Sequence, residues 1–236
     1  MHAVLGLPDD IQAGLFDLDG VLTQTAKVHA AAWKEMFDAF LEQRDGDGYT
    51  PFDAHEDYDE YVDGLPRPDG VRGFLKSRGI DAPDDLVKEL GDRKNDLVLK
   101  IIKQDGVQAY DGSLRYLKAA QEAGLKLAVV SSSANAKDVL TSVGILDDFA
   151  HVVDGHAVAD DGLKGKPAPD TFLAGAKALG VEPAHAAVFE DALAGVEAGR
   201  AGRFGAVVGV DRVGQAEALK RHGATIVVQD LDELLP

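Results

Sequence analysis

The stretch Gly14-Leu-Phe-Asp17-Leu-Asp19-Gly20-Val-Leu-Thr-Gln-Thr25 decides how this chain is read. An apolar run ends in two carboxylates one residue apart, Asp17 and Asp19, and Gly20 follows at once. On a strand, alternation sends Asp17 and Asp19 to one side and Leu18 to the other. Gly20 then lets the backbone turn without a Cβ penalty. Two acids at the carboxyl end of a buried strand are costly unless a cation or a substrate uses them. Seen alone, such an Asp-x-Asp-Gly is more often a turn with two solvated acids, so its meaning depends on the rest of the chain.

Outward from this stretch, Ala26 to about Gln43 has helical spacing, with Val28, Trp33, Met36, Phe37, Phe40 and Leu41 as its apolar stripe and Thr25 placed to cap it. Residues 44–63 are polar and acidic, with Gly46, Gly48 and Pro51, and read as a surface loop. Asp45, Asp47 and Glu56 match positions 1, 3 and 12 of a calcium loop, but Thr50 stands where that loop needs glycine. Helices are predicted over 69–79 and 83–104, the second burying Leu86, Leu90, Leu97, Ile101 and Ile102. No convincing strand occurs between residues 26 and 104.

After Asp105 the pattern alternates. Helices are predicted over 111–123, 135–143, 169–180, 192–201 and 214–221, and strands over 125–130, 151–153, 186–189, 205–210 and 225–228. Such alternation predicts an α/β fold with a parallel sheet covered on both faces. The strand before Asp17 belongs to this sheet. Residues 1–25 and 105–236 are therefore expected to form a Rossmann-like core, with 26–104 inserted as an all-α domain. Asp17, Asp19, Ser131, Glu190 and Asp191 all fall at the carboxyl ends of strands, where open α/β sheets bind ligands.

Composition narrows the chemistry. The 236 residues contain no cysteine, which excludes disulfides, thiolate metal sites and cysteine nucleophiles. A formal charge of −17 argues against broad nucleic-acid binding, which needs basic surfaces. No run approaches the roughly 20 apolar residues of a membrane span. The first ten residues lack a basic region and a signal-peptide core, so a cytoplasmic location and no membrane partner are expected.

The paired acids suit phosphoryl transfer with Mg²⁺. Asp17 would attack phosphorus and Asp19 would pass a proton to and from the sugar oxygen. Ser131 and the N–H groups after it could hold a phosphate, or simply begin a helix. Lys166, between Gly165 and Pro167, could neutralise phosphoryl oxygens, or be a solvated loop charge. Glu190 and Asp191 could complete an oxygen-rich Mg²⁺ site with Asp17 and Asp19, or close a strand. Each part has a plain alternative, but all of them in this order are unlike a chance assembly.

Asp17-Leu-Asp19-Gly-Val-Leu-Thr, Ser131, Lys166 and Glu190-Asp191 resemble the four motifs of the haloacid dehalogenase superfamily, over nearly the whole chain. The resemblance implies a Rossmann-like core, an aspartyl-phosphate intermediate and Mg²⁺. The dehalogenase branch lacks the second aspartate, so Asp19 favours phosphoryl transfer. The inserted helices resemble the cap of the β-phosphoglucomutase subfamily. Thr25, His29 and Trp33 match its hinge threonine, relay histidine and cap-contacting tryptophan. Gly64-Leu-Pro-Arg67 resembles the cap loop whose arginine holds the distal phosphate, and Lys94 the cap lysine facing the sugar. Ser131-Ser132-Ser133-Ala-Asn135 resembles the loop that binds phosphate and sugar. From the residues alone, His29 and Trp33 also read as a core pair and Arg67 as a turn residue. The stretch 44–63, Pro66, Gly70 and Ser132 depart from the compact pattern.

The resemblance implies a mutase that interconverts β-glucose 1-phosphate and glucose 6-phosphate through glucose 1,6-bisphosphate, the chain acting as a monomer. A Mg²⁺-dependent sugar-phosphate phosphatase uses the same parts with water as acceptor. A non-catalytic acidic binding module would leave the Asp17 and Asp19 pair without a reason.

Overall fold

The computed structural model describes residues 5–236; the first four residues of the expected core lie outside the described residues. The chain begins with β1 (Ala13–Phe16) and then runs through four helices, α1 (Ala26–Asp45), α2 (Glu56–Tyr61), α3 (Arg67–Ser77) and α4 (Asp84–Asp105). It returns through α5 (Asp111–Glu122), β2 (Lys126–Val130), α6 (Ala136–Ser142), β3 (His151–Val153), α7 (Gly155–Asp160) and α8 (Asp170–Leu179). β4 (Ala186–Glu190), α9 (Leu193–Ala201), β5 (Ala206–Val210), α10 (Ala216–His222) and β6 (Ile226–Val228) complete it.

The strands form one parallel sheet in the order β3-β2-β1-β4-β5-β6. Phe16 lies in register with Val129 on one side and Phe189 on the other. The carboxyl ends of β1, β2 and β4 therefore meet at one edge, where the strand order reverses and a crevice opens. β1, β4 and β5 are buried throughout, which is why they read as unbroken runs of small and branched apolar residues. Phe16 stacks on Phe189 with ring centres 4.2 Å apart, and Tyr116 of α5 closes over Phe189 at 5.4 Å. On the opposite face, Phe172 of α8 packs into a cluster with Leu15, Val130 and Val188.

Helices α1–α4 surround a third apolar cluster built on Trp33, Phe37, Phe52, Phe74 and Leu90. The ring of Phe37 stands 4.1 Å from that of Phe74 and 5.3 Å from that of Phe52.

Several sequence expectations are corrected. Thr25 precedes α1 but makes no side-chain cap, because its hydroxyl is drawn to Asp19 and Thr23. Residues 44–63 are not only a surface loop: Phe52 is fully buried, Tyr58 is nearly so, and α2 lies within the segment. The fully buried face of α4 is Val87, Leu90, Gly91, Lys94 and Val98: of the predicted stripe only Leu90 lies on it, while Leu86, Leu97 and Ile102 pack half-buried beside it. That face turns a lysine inward because it borders a polar cavity as well as the apolar cluster. Helix α7, capped by the Asp154 carboxylate, has no counterpart in the sequence reading.

Candidate active site

At the carboxyl end of β1, Asp17 meets Lys166, whose Nζ donates to Asp17 Oδ1 at 2.5 Å, to Glu190 Oε1 at 2.6 Å and to the Val130 carbonyl at 3.2 Å. One cation thus ties the ends of β1, β2 and β4 together. Burial alone would push Lys166 down, but Asp17 and Glu190 overrule it and hold the ammonium above its ordinary value. Burial pushes Asp17 up to about 6, against the pull of Lys166. Glu190 is fully buried, and its second oxygen accepts the Ala192 N–H at 2.8 Å. With both oxygens engaged by Lys166 and the Ala192 N–H, it anchors the lysine and does not line the cavity.

Asp19 sits on the other side of Leu18, as alternation predicts, and accepts a short hydrogen bond from the Thr25 hydroxyl. Thr25 meets the Thr23 hydroxyl at 2.8 Å, and Thr23 donates to the Leu18 carbonyl at 3.1 Å. His29 Nε2 stands 3.5 Å from Asp19 Oδ1, while its Nδ1 meets Lys94 Nζ at 2.8 Å. Burial, then the nearby Lys94 and Arg67 charges, holds His29 well below its ordinary value. A neutral ring accepts at Nδ1 and turns an N–H toward Asp19. Burial, reinforced by Arg67, lowers Lys94 to about 7. Its Nζ lies 4.8 Å over the ring of Trp33, which stacks on Phe37.

The loop after β2 is set from within. Ser131 Oγ accepts the Ser133 N–H at 3.1 Å, and Ser133 Oγ accepts the Asn135 N–H at 3.2 Å. Two of its residues reach the helical block: Ser132 Oγ donates to the Gly64 carbonyl at 2.9 Å, and Asn135 Nδ2 donates to Asn95 Oδ1 at 3.0 Å. Gly64 has φ of 68°, a conformation that favours glycine, and a Cβ there would press on Ala192 at 3.0 Å. Arg67 donates to the Gly91 carbonyl at 3.1 Å.

These groups enclose a cavity of about 60 Å³. Asp17, Asp19, Asp191, Ser132, Ser133 and Asn135 line it from the sheet; His29, Trp33, Gly64, Arg67 and Lys94 line it from the helices. Thr25, Ser131, Lys166 and Glu190 stand behind that wall, each touching a residue that lines it or precedes one. The sequence reading missed three polar lining residues: Tyr58, Asp63 and Asn95. Asn95 was within reach as the neighbour of Lys94. Asp63 was hidden because an acid before glycine reads as a turn. Burial, then Glu190 and Asp59, pushes Asp63 up to about 8.

Among the described residues, no three His, Asp or Glu side chains are drawn together tightly enough to hold a metal ion as they stand. The donor chemistry nonetheless suits a hard divalent cation. Asp17, Asp19 and Asp191 present carboxylate oxygens to one cavity; burial pushes all three up, and neighbouring carboxylates add to the rise at Asp17 and Asp191. Gly20, at φ of 80°, gives Asp191 its place: a Cβ there would run into that carboxylate and stand 3.0 Å from Oδ1. No described helix is long and apolar enough to cross a membrane.

Comparisons with known proteins give the family and the fold. The model of the haloacid dehalogenase-like hydrolase family matches residues 11–203. A β-phosphoglucomutase of Mycobacterium tuberculosis is 55% identical over 248 aligned residues, covering 98% of this chain and 94% of the relative. One of Bacillus subtilis is 36% identical, covering 95% and 92%. The crystal structure of a β-phosphoglucomutase from Clostridium difficile superposes with a TM-score of 0.79 at 28% identity, covering 95% and 93%. The chain belongs to the haloacid dehalogenase-like hydrolase family, among its β-phosphoglucomutase-like members.

Proposed function

We infer that the chain is a phosphosugar mutase that interconverts β-glucose 1-phosphate and glucose 6-phosphate through glucose 1,6-bisphosphate. The observation that carries this reading is the shared cavity: the nucleophile Asp17 and the cations Arg67 and Lys94 line one small space from opposite sides. A hydrolase acting on one ester has less need of a second cationic end. Residues 26–104 act as the cap and 105–236, with 1–25, as the core.

In one half-reaction an Asp17 oxygen attacks phosphorus of the bisphosphate and the bond from phosphorus to the sugar oxygen breaks; in the other, a hydroxyl of the sugar monophosphate attacks the aspartyl phosphate and the bond from phosphorus to Asp17 breaks. Asp19 gives its proton to the leaving oxygen and takes one from the incoming hydroxyl in the reverse step. Thr25 and the His29 N–H hold Asp19 in place. Lys166 neutralises charge at Asp17, and Ser131 orders the loop that meets the phosphoryl oxygens. Arg67 holds the distal phosphate; Lys94, Trp33, Gly64, Ser132, Ser133 and Asn135 surround the sugar. Asp17, Asp19, Glu190 and Asp191 would hold Mg²⁺, which when bound supplies positive charge to the phosphoryl oxygens.

The test is a coupled assay with β-glucose 1-phosphate, Mg²⁺ and a trace of the bisphosphate. Formation of glucose 6-phosphate supports the mutase, and inorganic phosphate as the sole product supports the sugar-phosphate phosphatase. Asp17→Asn lowers kcat about 10³-fold or more in either case, since no other group can carry the phosphoryl group. Activity within tenfold of the unsubstituted enzyme would remove the nucleophile from this account.

A further inference from the structure

Gly165 precedes the anchoring Lys166, and Pro66 precedes Arg67 across the cleft. A Cβ built on Gly165 would drive into Pro66 Cγ, stand 2.6 Å from Cδ and 3.6 Å from Cβ. Those three proline atoms are its nearest neighbours. Gly165 does not occupy the left-handed region, so its backbone alone would accept alanine. What forbids a side chain is the proline seated on it.

The seat lies in a meaningful place. A second groove, of about 980 Å³, runs outside it, lined by Pro66, Val87, Val158, Leu163 and Gly165. Leu65, Arg67 and Ser132 line both this groove and the inner cavity. The inner cavity, at about 60 Å³, is far below the roughly 300 Å³ at which ligand pockets begin. A sugar phosphate enters only if the wall between the two spaces parts. Nothing but packing joins Pro66 to Gly165, whereas Ser132 to Gly64 and Asn95 to Asn135 are polar links that water can replace.

We propose that Pro66 and Gly165 are a positioning pair, a steric seat that sets how far the cap loop descends. The seat brings Arg67 to its working place and shuts the outer groove off from Asp17. This rests on the mutase reading only for the choice of substrate. Once Pro66 withdraws, no other atom outside its chain neighbours stands closer than 3.6 Å to a Cβ at residue 165, so the fold tolerates it and closure does not.

The experiment compares the unsubstituted enzyme with Gly165→Ala, Pro66→Ala and the double variant. Each is assayed for glucose 6-phosphate formation and for inorganic phosphate released from glucose 1,6-bisphosphate. Gly165→Ala is expected to lower kcat/KM for the mutase at least tenfold and to raise the share of phosphate lost to water, with an unchanged melting temperature. Adding Pro66→Ala removes Cγ and Cδ and leaves the Cβ at an ordinary contact distance. The double variant is expected to recover to within threefold of the unsubstituted enzyme. A double variant no better than Gly165→Ala, or a Gly165→Ala enzyme with unchanged rate and partition, overturns the seat. Should Gly165→Ala not fold, Pro66→Ala alone decides: its looser seat raises phosphate release relative to transfer, and an unchanged ratio overturns the proposal. Amide hydrogen exchange over residues 63–67, read without substrate, keeps the two readings apart. Faster exchange in Gly165→Ala, reversed in the double variant, supports the seat even where no mutase activity is found; equal exchange in all four proteins counts against it.

Discussion

Lys94 shows how one side chain takes its character from its surroundings. Buried beside Arg67 and stacked over Trp33, it sits near 7, so at pH 8 it is largely neutral before substrate arrives. A bound anion favours the ammonium and raises that value. Binding of glucose 6-phosphate should therefore take up protons at pH 8, and take up far fewer at pH 6, where Lys94 is already charged. Calorimetry in two buffers of different ionisation heat reads the number directly. The difference between the two pH values should shrink in Lys94→Met, and an equal uptake in the variant would mean that this amine does not meet the anion. His29, neutral and hydrogen-bonded to Lys94, stands between this amine and Asp19. The charge state at one end of the cavity is thereby felt at the other.

At the scale of elements, the alternation after Asp105 and the unbroken apolar strands made the sheet legible, and with it the gathering of Asp17, Ser131 and Glu190 at one edge. Strand ends are legible because the pleat and the parallel register leave little freedom. Residues 44–63 were not, because Phe52 and Tyr58 are single anchors without a period, and α2 is too short to show one. The face of α4 was misjudged for a different reason: hydrophobic spacing cannot reveal that a lysine is wanted inside. The links between loop and helices also escape sequence reasoning, since Asn95 and Asn135 are ordinary polar residues until the fold joins them. Either Asn95→Ala or Asn135→Ala removes the same bond, worth about 1 kcal/mol. Each should raise phosphate release relative to transfer about fivefold, and the double variant should add little beyond either single one. Additive effects would show that the two amides act separately.

Across the whole molecule, the crevice concentrates negative charge in a chain that is already strongly acidic. Asp17 at about 6, Glu190 at about 7 and Asp63 at about 8 all titrate later than free carboxylic acids do. Between about pH 4 and 8 these carboxyl groups hold more protons folded than unfolded, so the stability they contribute falls as pH rises through that window, while His29 and Lys94, both held low, work in the opposite direction. Asp63→Asn should flatten the fall of melting temperature between pH 5 and 8. Mg²⁺ should raise the melting temperature more at pH 8 than at pH 5, where protons already quench the repulsion. An equal effect of the ion at both pH values would place its binding elsewhere.

Gly195 in α9 carries a warning for anyone engineering this protein. A glycine within a helix invites replacement by alanine, which should add about 1 kcal/mol of helical propensity. Here the added methyl would strike the carboxyl group of Glu190 and stand 2.6 Å from its Cγ. Displacing Glu190 frees Lys166 to swing away from the reacting acid. Gly195→Ala should thus trade turnover for rigidity in the helix, a loss visible in kcat and invisible in a helical content spectrum. What looks like a flaw in the helix is the hollow into which the tether of the Lys166 ammonium is folded.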